Sequence, residues 1–280
     1  MRSSPTDLMT SSRPQHIPLF DSHAGATLDG RWLDGRAGLS FAELRSAMTA
    51  AGFVGGLVQG LPGVCGYEHS AFAKAALAQQ GLRPVAAWDG SEAETRLDHL
   101  KGLKAMGFVG VHVHPRLTGQ GPQTDLFQAL MQSAGAAGLA VFYCAYQFAD
   151  TASGLPVDPL PHLADALREA PTTRLVLLHG GTVEALRYAE FTRANDRVLL
   201  DLSFTLMRYA GTSLDQDLSY IFRTLDRRVC IGTDAPEYRH ADVRARFEAL
   251  TADLPTDKRM NVAGRSLAQF LDLDLYPAAA

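Results

Sequence analysis

Eight short apolar runs recur along the chain at intervals of roughly 30 residues, the length of one strand–helix unit. They read IPLFDSH (17–23), FVGGLVQG (53–60), RPVAAWDG (83–90), FVGVHVHPR (108–116), LAVFYCAYQF (139–148), RLVLLHGG (174–181), RVLLDLSF (197–204) and RVCIGTDAPE (228–237). Helical segments lie between the runs; SFAELRSAMTAAG, for example, has the Ser40–Glu43 capping box and ends at Gly52. Strands that alternate with helices at this interval predict a parallel sheet.

Eight such units in a chain of 280 residues predict a single-domain (β/α)₈ TIM barrel. The alternative is an open doubly wound sheet, which usually has fewer strands and often a G-x-G-x-x-G turn that this sequence lacks. We predict a flexible tail over residues 1–15, which is rich in Ser, Thr and Pro, and one barrel over residues 16–275. The last helical stretch, KRMNVAGRSLAQFLDL, is expected to pack on the outside or at one end of the barrel.

Charge and composition exclude several classes of partner. The formal net charge of −4 argues against nucleic acid or an anionic membrane as the main partner. No run approaches the roughly 18 apolar residues of a membrane span, and the opening residues lack the apolar core of a signal peptide. Of the three cysteines, Cys144 and Cys230 lie in apolar runs and Cys65 is distant, which favours free thiols in a reducing compartment. We expect a cytoplasmic protein with a small-molecule substrate, and leave homo-oligomer formation open.

Polar residues collect at the carboxyl ends of the predicted strands, where a barrel of this kind has its active site. They are Asp21 and His23 in the first run, His112, His114 and Arg116 in the fourth, Tyr146 and Gln147 in the fifth, His179 in the sixth, Asp201 and Ser203 in the seventh and Asp234 in the eighth. Because the outer face of each strand must be apolar to contact the helices, we expect these side chains to point into the barrel.

Four motifs, FDSHAG, GVHVHPR, LLHGG and CIGTDAPE, resemble in order and position those of the amidohydrolase superfamily. The branch it resembles contains decarboxylases, hydratases and lactonases of small, often carboxylated substrates, and the resemblance extends from Phe20 to Leu273. In that superfamily an H-x-H pair on strand 1 and an aspartate on strand 8 hold a metal. The resemblance assigns His23 to the first histidine and Asp234 to the aspartate. His179 corresponds to a strand-6 histidine that assists the reacting water.

Two departures from the family pattern concern the metal ligands. Gly25 stands where the second strand-1 histidine is expected. The mononuclear branch has a further histidine on strand 5, where this chain has Cys144, Ala145, Tyr146 and Gln147.

These departures leave two interpretations of the site. A catalytic zinc ion requires three protein ligands, so His23 and Asp234 would need His179 or His114 as a third. The superfamily also contains a pyrone-dicarboxylate lactonase branch that works without metal, with the strand-8 aspartate acting on water and arginines on the substrate. We favour the second interpretation and expect no metal or other cofactor.

The sequence therefore predicts a hydrolase of a small carboxylated lactone, ester or amide. Asp234 is the predicted general base, and His179 and His23 orient the water or polarise the carbonyl. The predicted substrate-binding residues are His114, Arg116, Tyr146 and Ser203. One alternative is a metal-dependent decarboxylase or hydratase of the same family. The other is a barrel that has lost catalysis and serves as a binding protein.

The remaining histidines have structural interpretations. We expect His112, deep in its strand, to hydrogen-bond Asp201 across the barrel. His240 follows strand 8 and is a weaker candidate for the mouth. The others lie on tail or helical segments and are expected to be solvated; they are His16, His69, His99 and His162.

Overall fold

Eight parallel strands follow one another in sequence order around a ring. The computed structural model describes residues 17–33, 35–63, 66–148 and 157–274, so the predicted tail, His16 and Cys65 lie outside the described residues. The strands are β1 Leu19–Ala24, β2 Phe53–Gln59, β3 Leu82–Ala87, β4 Gly110–Val113, β5 Ala140–Cys144, β6 Leu175–Leu178, β7 Val198–Asp201 and β8 Val229–Cys230.

Helices follow the strands and cover the barrel. They are α1 Phe41–Ala50, α2 His69–Leu77, α3 Leu97–Ala105, α4 Pro115–Thr118, α5 Asp125–Ala137, α6 Pro159–Glu169, α7 Ala185–Arg193, α8 Thr205–Arg208, α9 Leu214–Thr224, α10 His240–Thr251, α11 Thr256–Met260 and α12 Ser266–Leu271. Short 3₁₀ segments span Ala93–Thr95, His179–Glu184 and Asp226–Arg228, and a π-turn spans Asn261–Arg265. Within the described ranges, no helix has both the length and the apolar character needed to span a bilayer.

The ring closes between β1 and the segment that follows β8. The Ser22 N–H donates to the Ile231 carbonyl at 3.1 Å, and the Gly25 N–H donates to the Ala235 carbonyl at 2.7 Å. Between them, the Asp234 N–H donates to the carbonyl of His23 at 2.8 Å. The predicted single-domain (β/α)₈ barrel is therefore confirmed, and its closure places Asp234 beside His23.

The predicted run 228–237 forms a much shorter strand than its apolar start suggested. Asp234 has a φ of 53°, which is incompatible with extended backbone. Regular strand assignment ends at Cys230, and the chain turns at Asp234 before a single parallel bridge joins Ala235 to Ala24.

The barrel interior is apolar at the end opposite the mouth. Phe20, Val176 and Leu199 lie there in one cluster with Leu267 and Leu271 of α12. Burial of each such side chain contributes roughly 1.5–3 kcal/mol. A guanidinium N–H of Arg174, immediately before β6, donates to the Phe270 carbonyl at 2.6 Å. The C-terminal helix thus closes the amino-terminal end of the barrel, one of the two positions that we predicted.

Candidate active site

One pocket of about 450 Å³ occupies the mouth of the barrel at the carboxyl ends of the strands. Six of the seven predicted site residues line it: His23, His114, Arg116, Tyr146, His179 and Asp234. The sequence prediction therefore identified a set of residues that the fold brings together.

His23 and Asp234 form the contact at the centre of the pocket. His23 Nε2 lies 3.0 Å from Asp234 Oδ1, and the two side chains are 9% and 23% exposed. His23 Nδ1 is buried and has no hydrogen-bond partner among the described residues. Nε2 of His23 therefore donates to the carboxylate, and the more exposed Asp234 faces the pocket.

Ser203 lies behind His179 and does not line the pocket. It is fully buried, and its Oγ is 3.2 Å from His179 Nδ1. The same hydroxyl donates to Asp201 Oδ1, so its oxygen is available to accept the Nδ1–H of His179. This chain of hydrogen bonds fixes the His179 ring and places a proton on Nδ1. In this structure Ser203 thus positions His179, whereas we had predicted that it binds substrate.

His179 and Cys144 perturb each other's ionisation. Burial opposes a charge on His179, but the neighbouring Cys144 and Asp234 outweigh it and raise the pKa of His179 to about 9. Burial likewise opposes ionisation of Cys144, but the charges of His114 and His179 hold the pKa of its thiol well below the usual value. His179 is therefore cationic at neutral pH. Cys144 and Cys230 are buried free cysteines, as predicted.

His112 makes a different hydrogen bond from the one predicted. Its Nδ1 donates to the Gly60 carbonyl at 3.0 Å. The expected bond to Asp201 is wrong, because that carboxylate already accepts donors from β1, from the segment after β6 and from its own loop. Burial, and then the charges of His23 and His114, hold the pKa of His112 well below its usual value. The ring centroid of His112 lies 5.7 Å from those of both neighbours. The neutral ring of His112 thus lies between His23 and His114.

Arg116 is held over the ring of Tyr146, with 4.9 Å between its Cζ and the ring centroid. Its Nη2 lies 3.3 Å from His114 Nε2 and 3.7 Å from Cys144 Sγ. Arg208 lines the same pocket. In the part of the chain that the structure describes, neither guanidinium pairs with a carboxylate, so both are available to an anionic ligand.

Sequence reasoning missed several residues that line the pocket, among them Trp32, Arg36, Gln59, Phe204 and Arg208. Trp32 and Arg36 belong to the segment between β1 and α1, and Arg208 ends α8 after β7. The available signal was their position, because every segment that follows a barrel strand lies at the mouth.

Gly25 provides no space for the second strand-1 histidine of the family. A Cβ at this position would lie 2.2 Å from Cη2 of Trp32 and 2.9 Å from the Ala235 carbonyl oxygen. Cβ atoms essentially never lie this close to a non-bonded heavy atom. The indole ring of Trp32 therefore fills this part of the pocket wall.

Three donors in the mouth fit a single divalent ion. The ligand atoms of His23, His179 and Asp234 lie within 4.8 Å of one another. Two imidazoles and a carboxylate reach the number of protein ligands found in catalytic zinc sites. The family's second strand-1 histidine has no counterpart among the residues that line this mouth, because position 25 is a glycine and Trp32 fills the space beside it. The family's strand-5 histidine has none there either, because β5 ends in Cys144.

Asp21, the other polar residue of FDSHAG, is a structural carboxylate. It is fully buried and accepts the Thr233 N–H at 2.9 Å, the Thr233 hydroxyl at 2.6 Å and the His23 N–H at 3.1 Å. His240 Nε2 lies 3.0 Å from its Oδ2. Neither Asp21 nor His240 lines the pocket, so the weaker candidate His240 is part of the core that supports β1 and β8.

The fold and the mouth together define a (β/α)₈ barrel with histidines and an aspartate gathered at the carboxyl ends of its strands. The chain belongs to the amidohydrolase family, whose family model matches residues 25–258. A comparison with curated protein sequences finds no match.

Solved structures share this fold at low sequence identity. A TIM-barrel protein of Bordetella bronchiseptica, described as uncharacterized, is 16% identical with a TM-score of 0.72, covering 91% of this chain and 98% of that chain. The 5-carboxyvanillate decarboxylase of Sphingomonas paucimobilis is 14% identical with a TM-score of 0.69, covering 92% and 100%. A probable 2-pyrone-4,6-dicarboxylic acid hydrolase of Acinetobacter baumannii is 16% identical with a TM-score of 0.63, covering 92% and 100%.

Proposed function

We propose that the protein hydrolyses a small carboxylated lactone, ester or amide without a bound metal. The observation that carries the proposal is the His23–Asp234 contact of 3.0 Å in a pocket that Arg116 and Arg208 also line, neither of them paired with a carboxylate of the described residues. The name of one similar structure, a probable pyrone-dicarboxylic acid hydrolase, supports the same substrate class.

In this proposal Asp234 is the general base. Its Oδ1 accepts the Nε2–H of His23, which fixes the carboxylate and leaves Oδ2 for a water molecule. As the water oxygen bonds to the substrate carbonyl carbon, its proton moves to Asp234. The same proton then passes to the leaving oxygen or nitrogen when the tetrahedral intermediate breaks down.

His179 stabilises the carbonyl oxygen in the proposed reaction. Its Nδ1–H is held by Ser203, so a cationic ring also carries a proton on Nε2. A cationic donor in a buried site stabilises the negative charge that develops on the carbonyl oxygen. Arg116, already placed over Tyr146, forms a bidentate contact with a substrate carboxylate, and Arg208 accommodates a second anionic group.

Paired substrates test this proposal in protein purified without added metal. We expect hydrolysis of carboxylated lactones or esters, unchanged in chelator, with well under one equivalent of zinc or manganese. Arg116→Gln should raise the KM for the carboxylated substrate about 10- to 100-fold, the effect of losing a hydrogen bond to a charged group. The KM for the uncharged analogue should not change. Arg168→Gln, on the exposed side of α6, is the matched control. Equal turnover of both analogues by the unmodified protein would contradict the proposed substrate class.

A second candidate is a metal-dependent decarboxylase, favoured by the three donors within 4.8 Å of one another. His23, His179 and Asp234 would hold the ion, which would supply Lewis-acid polarisation when bound. Arg116 would still bind a substrate carboxylate. One equivalent of metal, with carbon dioxide release that stops in chelator, would establish this function in place of hydrolysis.

The alkaline side of the pH profile tests the role of His179. We expect kcat/KM to fall as the pH rises through about 9, because the imidazolium loses its proton above the raised pKa of His179. His179→Gln should be slower at neutral pH and should lack this fall. A wild-type profile that stays flat to pH 10 would show that no proton on His179 takes part.

A further inference from the structure

A second group of side chains lies in the segments that follow β2 and β3. It consists of His69, the first residue of α2, Glu94 in a 3₁₀ turn and His99 in α3. We call these three residues the lateral cluster. Their ligand atoms lie within 4.8 Å of one another, and His69 Nε2 is 3.0 Å from Glu94 Oε1. The sequence predicted solvated histidines here, but the His69 and Glu94 side chains are each only 17% exposed.

Two members of the lateral cluster are held by further hydrogen bonds. His69 Nδ1 is 2.9 Å from the Tyr67 hydroxyl, which in turn accepts the Ala87 N–H at 2.8 Å. Glu94 Oε2 accepts the Asp89 N–H at 2.8 Å. A second hydrogen bond of this kind commonly orients a histidine or carboxylate that binds a metal.

His99 supplies the observation that a simple ion pair does not explain. Its Nε2 is buried and has no hydrogen-bond partner in the described ranges, although its ring centroid is 5.5 Å from that of His69. A buried nitrogen without a partner is unfavourable by roughly 1–3 kcal/mol. A cation shared with His69 and Glu94 would satisfy it.

We propose that the lateral cluster binds a divalent transition-metal ion of the zinc type. Two imidazole nitrogens and a carboxylate oxygen are ligands that zinc accepts, with a fourth position left for water. His69 and Glu94 line a pocket of about 360 Å³ together with Tyr67, Glu68 and Asp89, and we expect the water ligand to enter from it. This pocket and the active-site pocket have no lining residue in common, so the two sites are separate.

The ion would join the segments after β2 and β3 and support one wall of the mouth. Tyr67 packs against Gly60, where an added Cβ would lie 2.8 Å from the Tyr67 hydroxyl oxygen. The Gly60 carbonyl accepts the hydrogen bond from His112. A continuous set of contacts therefore runs from the lateral cluster to a histidine of the active-site pocket. Its role is structural, and no step of the proposed hydrolysis uses it.

Zinc titration of the full chain tests the proposal, provided that two of the three mouth donors are removed first. In a His23→Asn, Asp234→Asn background, stripped of metal, we expect one equivalent of Zn²⁺ to bind. Zinc at 100 times its Kd should raise Tm by about 5–10 °C. Adding His99→Asn should abolish both effects, and His162→Asn on α6 should leave them intact.

Tyr67→Phe provides a milder variant in case His99→Asn fails to fold. It removes the hydroxyl next to His69 Nδ1 and should weaken Zn²⁺ binding about 10- to 100-fold. No zinc binding in the background protein would overturn the proposal, as would an unchanged Zn²⁺ affinity in His99→Asn or Tyr67→Phe. The lateral cluster would then be an ion pair that joins two loops.

Discussion

Asp234→Asn is expected to lower turnover by about 10²- to 10⁴-fold, the usual effect of losing a general base. Asparagine keeps the size of the side chain and tolerates the φ of 53° found at this position. The side chain is 23% exposed and contributes little to the apolar core, so Tm should remain close to that of the wild type. Single-turnover rates and a thermal melt, on whichever substrate the paired screen identifies, measure the two quantities.

The variants compared with Asp234→Asn decide how the result is interpreted. His23→Asn should lower turnover less, since in our proposal His23 orients the base and exchanges no proton. Asp253→Asn changes an exposed carboxylate between α10 and α11 that does not line the pocket, and it should have no effect. Full activity of Asp234→Asn would place the chemistry elsewhere, and a protein that fails to fold would make the aspartate structural.

Asp21→Ala is expected to destabilise the fold by about 3–5 kcal/mol, the usual effect of removing one partner from a buried charged contact. The change leaves the Thr233 N–H and hydroxyl and the His23 N–H without their acceptor, and removes the carboxylate that lies 3.0 Å from His240 Nε2. For a domain of this size the corresponding fall in Tm is roughly 6–20 °C.

Thermal and urea melts of Asp21→Ala measure this effect, with Asp253→Ala as the matched loss of a surface carboxylate. His240→Ala should be destabilised in the same direction, because it removes the opposite partner of the contact. If Asp21→Ala melts within about one degree of the wild type, the buried carboxylate does not stabilise the closure of β1 against the segment after β8.

The barrel could be predicted from the sequence because its determinants are local and repeated. Apolar runs such as RLVLLH and LAVFYC mark strands buried on both faces, and Ser40 marks a helix start that the structure confirms with a capping box. Strand ends were less predictable. The run 228–237 leaves extended geometry at Asp234, where φ is positive, and its hydrogen bonds there are to β1, a segment distant in sequence.

The mouth residues could be predicted to the extent that strand ends define the mouth. His23 and Asp234 were found from their strand-end positions and from the resemblance to the amidohydrolase superfamily. For His179 there was also a physical reason, because a histidine at the end of an apolar run is unfavourable to bury unless it hydrogen-bonds or binds a ligand. Partners across the barrel were not predictable. The preference of His112 for the Gly60 carbonyl, the support of His179 by Ser203 and the effect of Cys144 on His179 all follow from the relative positions of different strands.

The indole of Trp32 also bears on which sequences can be reached from this one by single substitutions. Gly25→His alone would place its Cβ 2.2 Å from the Trp32 ring, and overpacking of this kind destabilises by roughly 1–3 kcal/mol or more. Loss of Trp32 alone would open the pocket wall without adding a ligand. The two positions are coupled, so their effects will not add. A second strand-1 histidine therefore requires that the Trp32 ring move or be replaced and that the Ala235 carbonyl shift, so the substitution at Gly25 does not act alone.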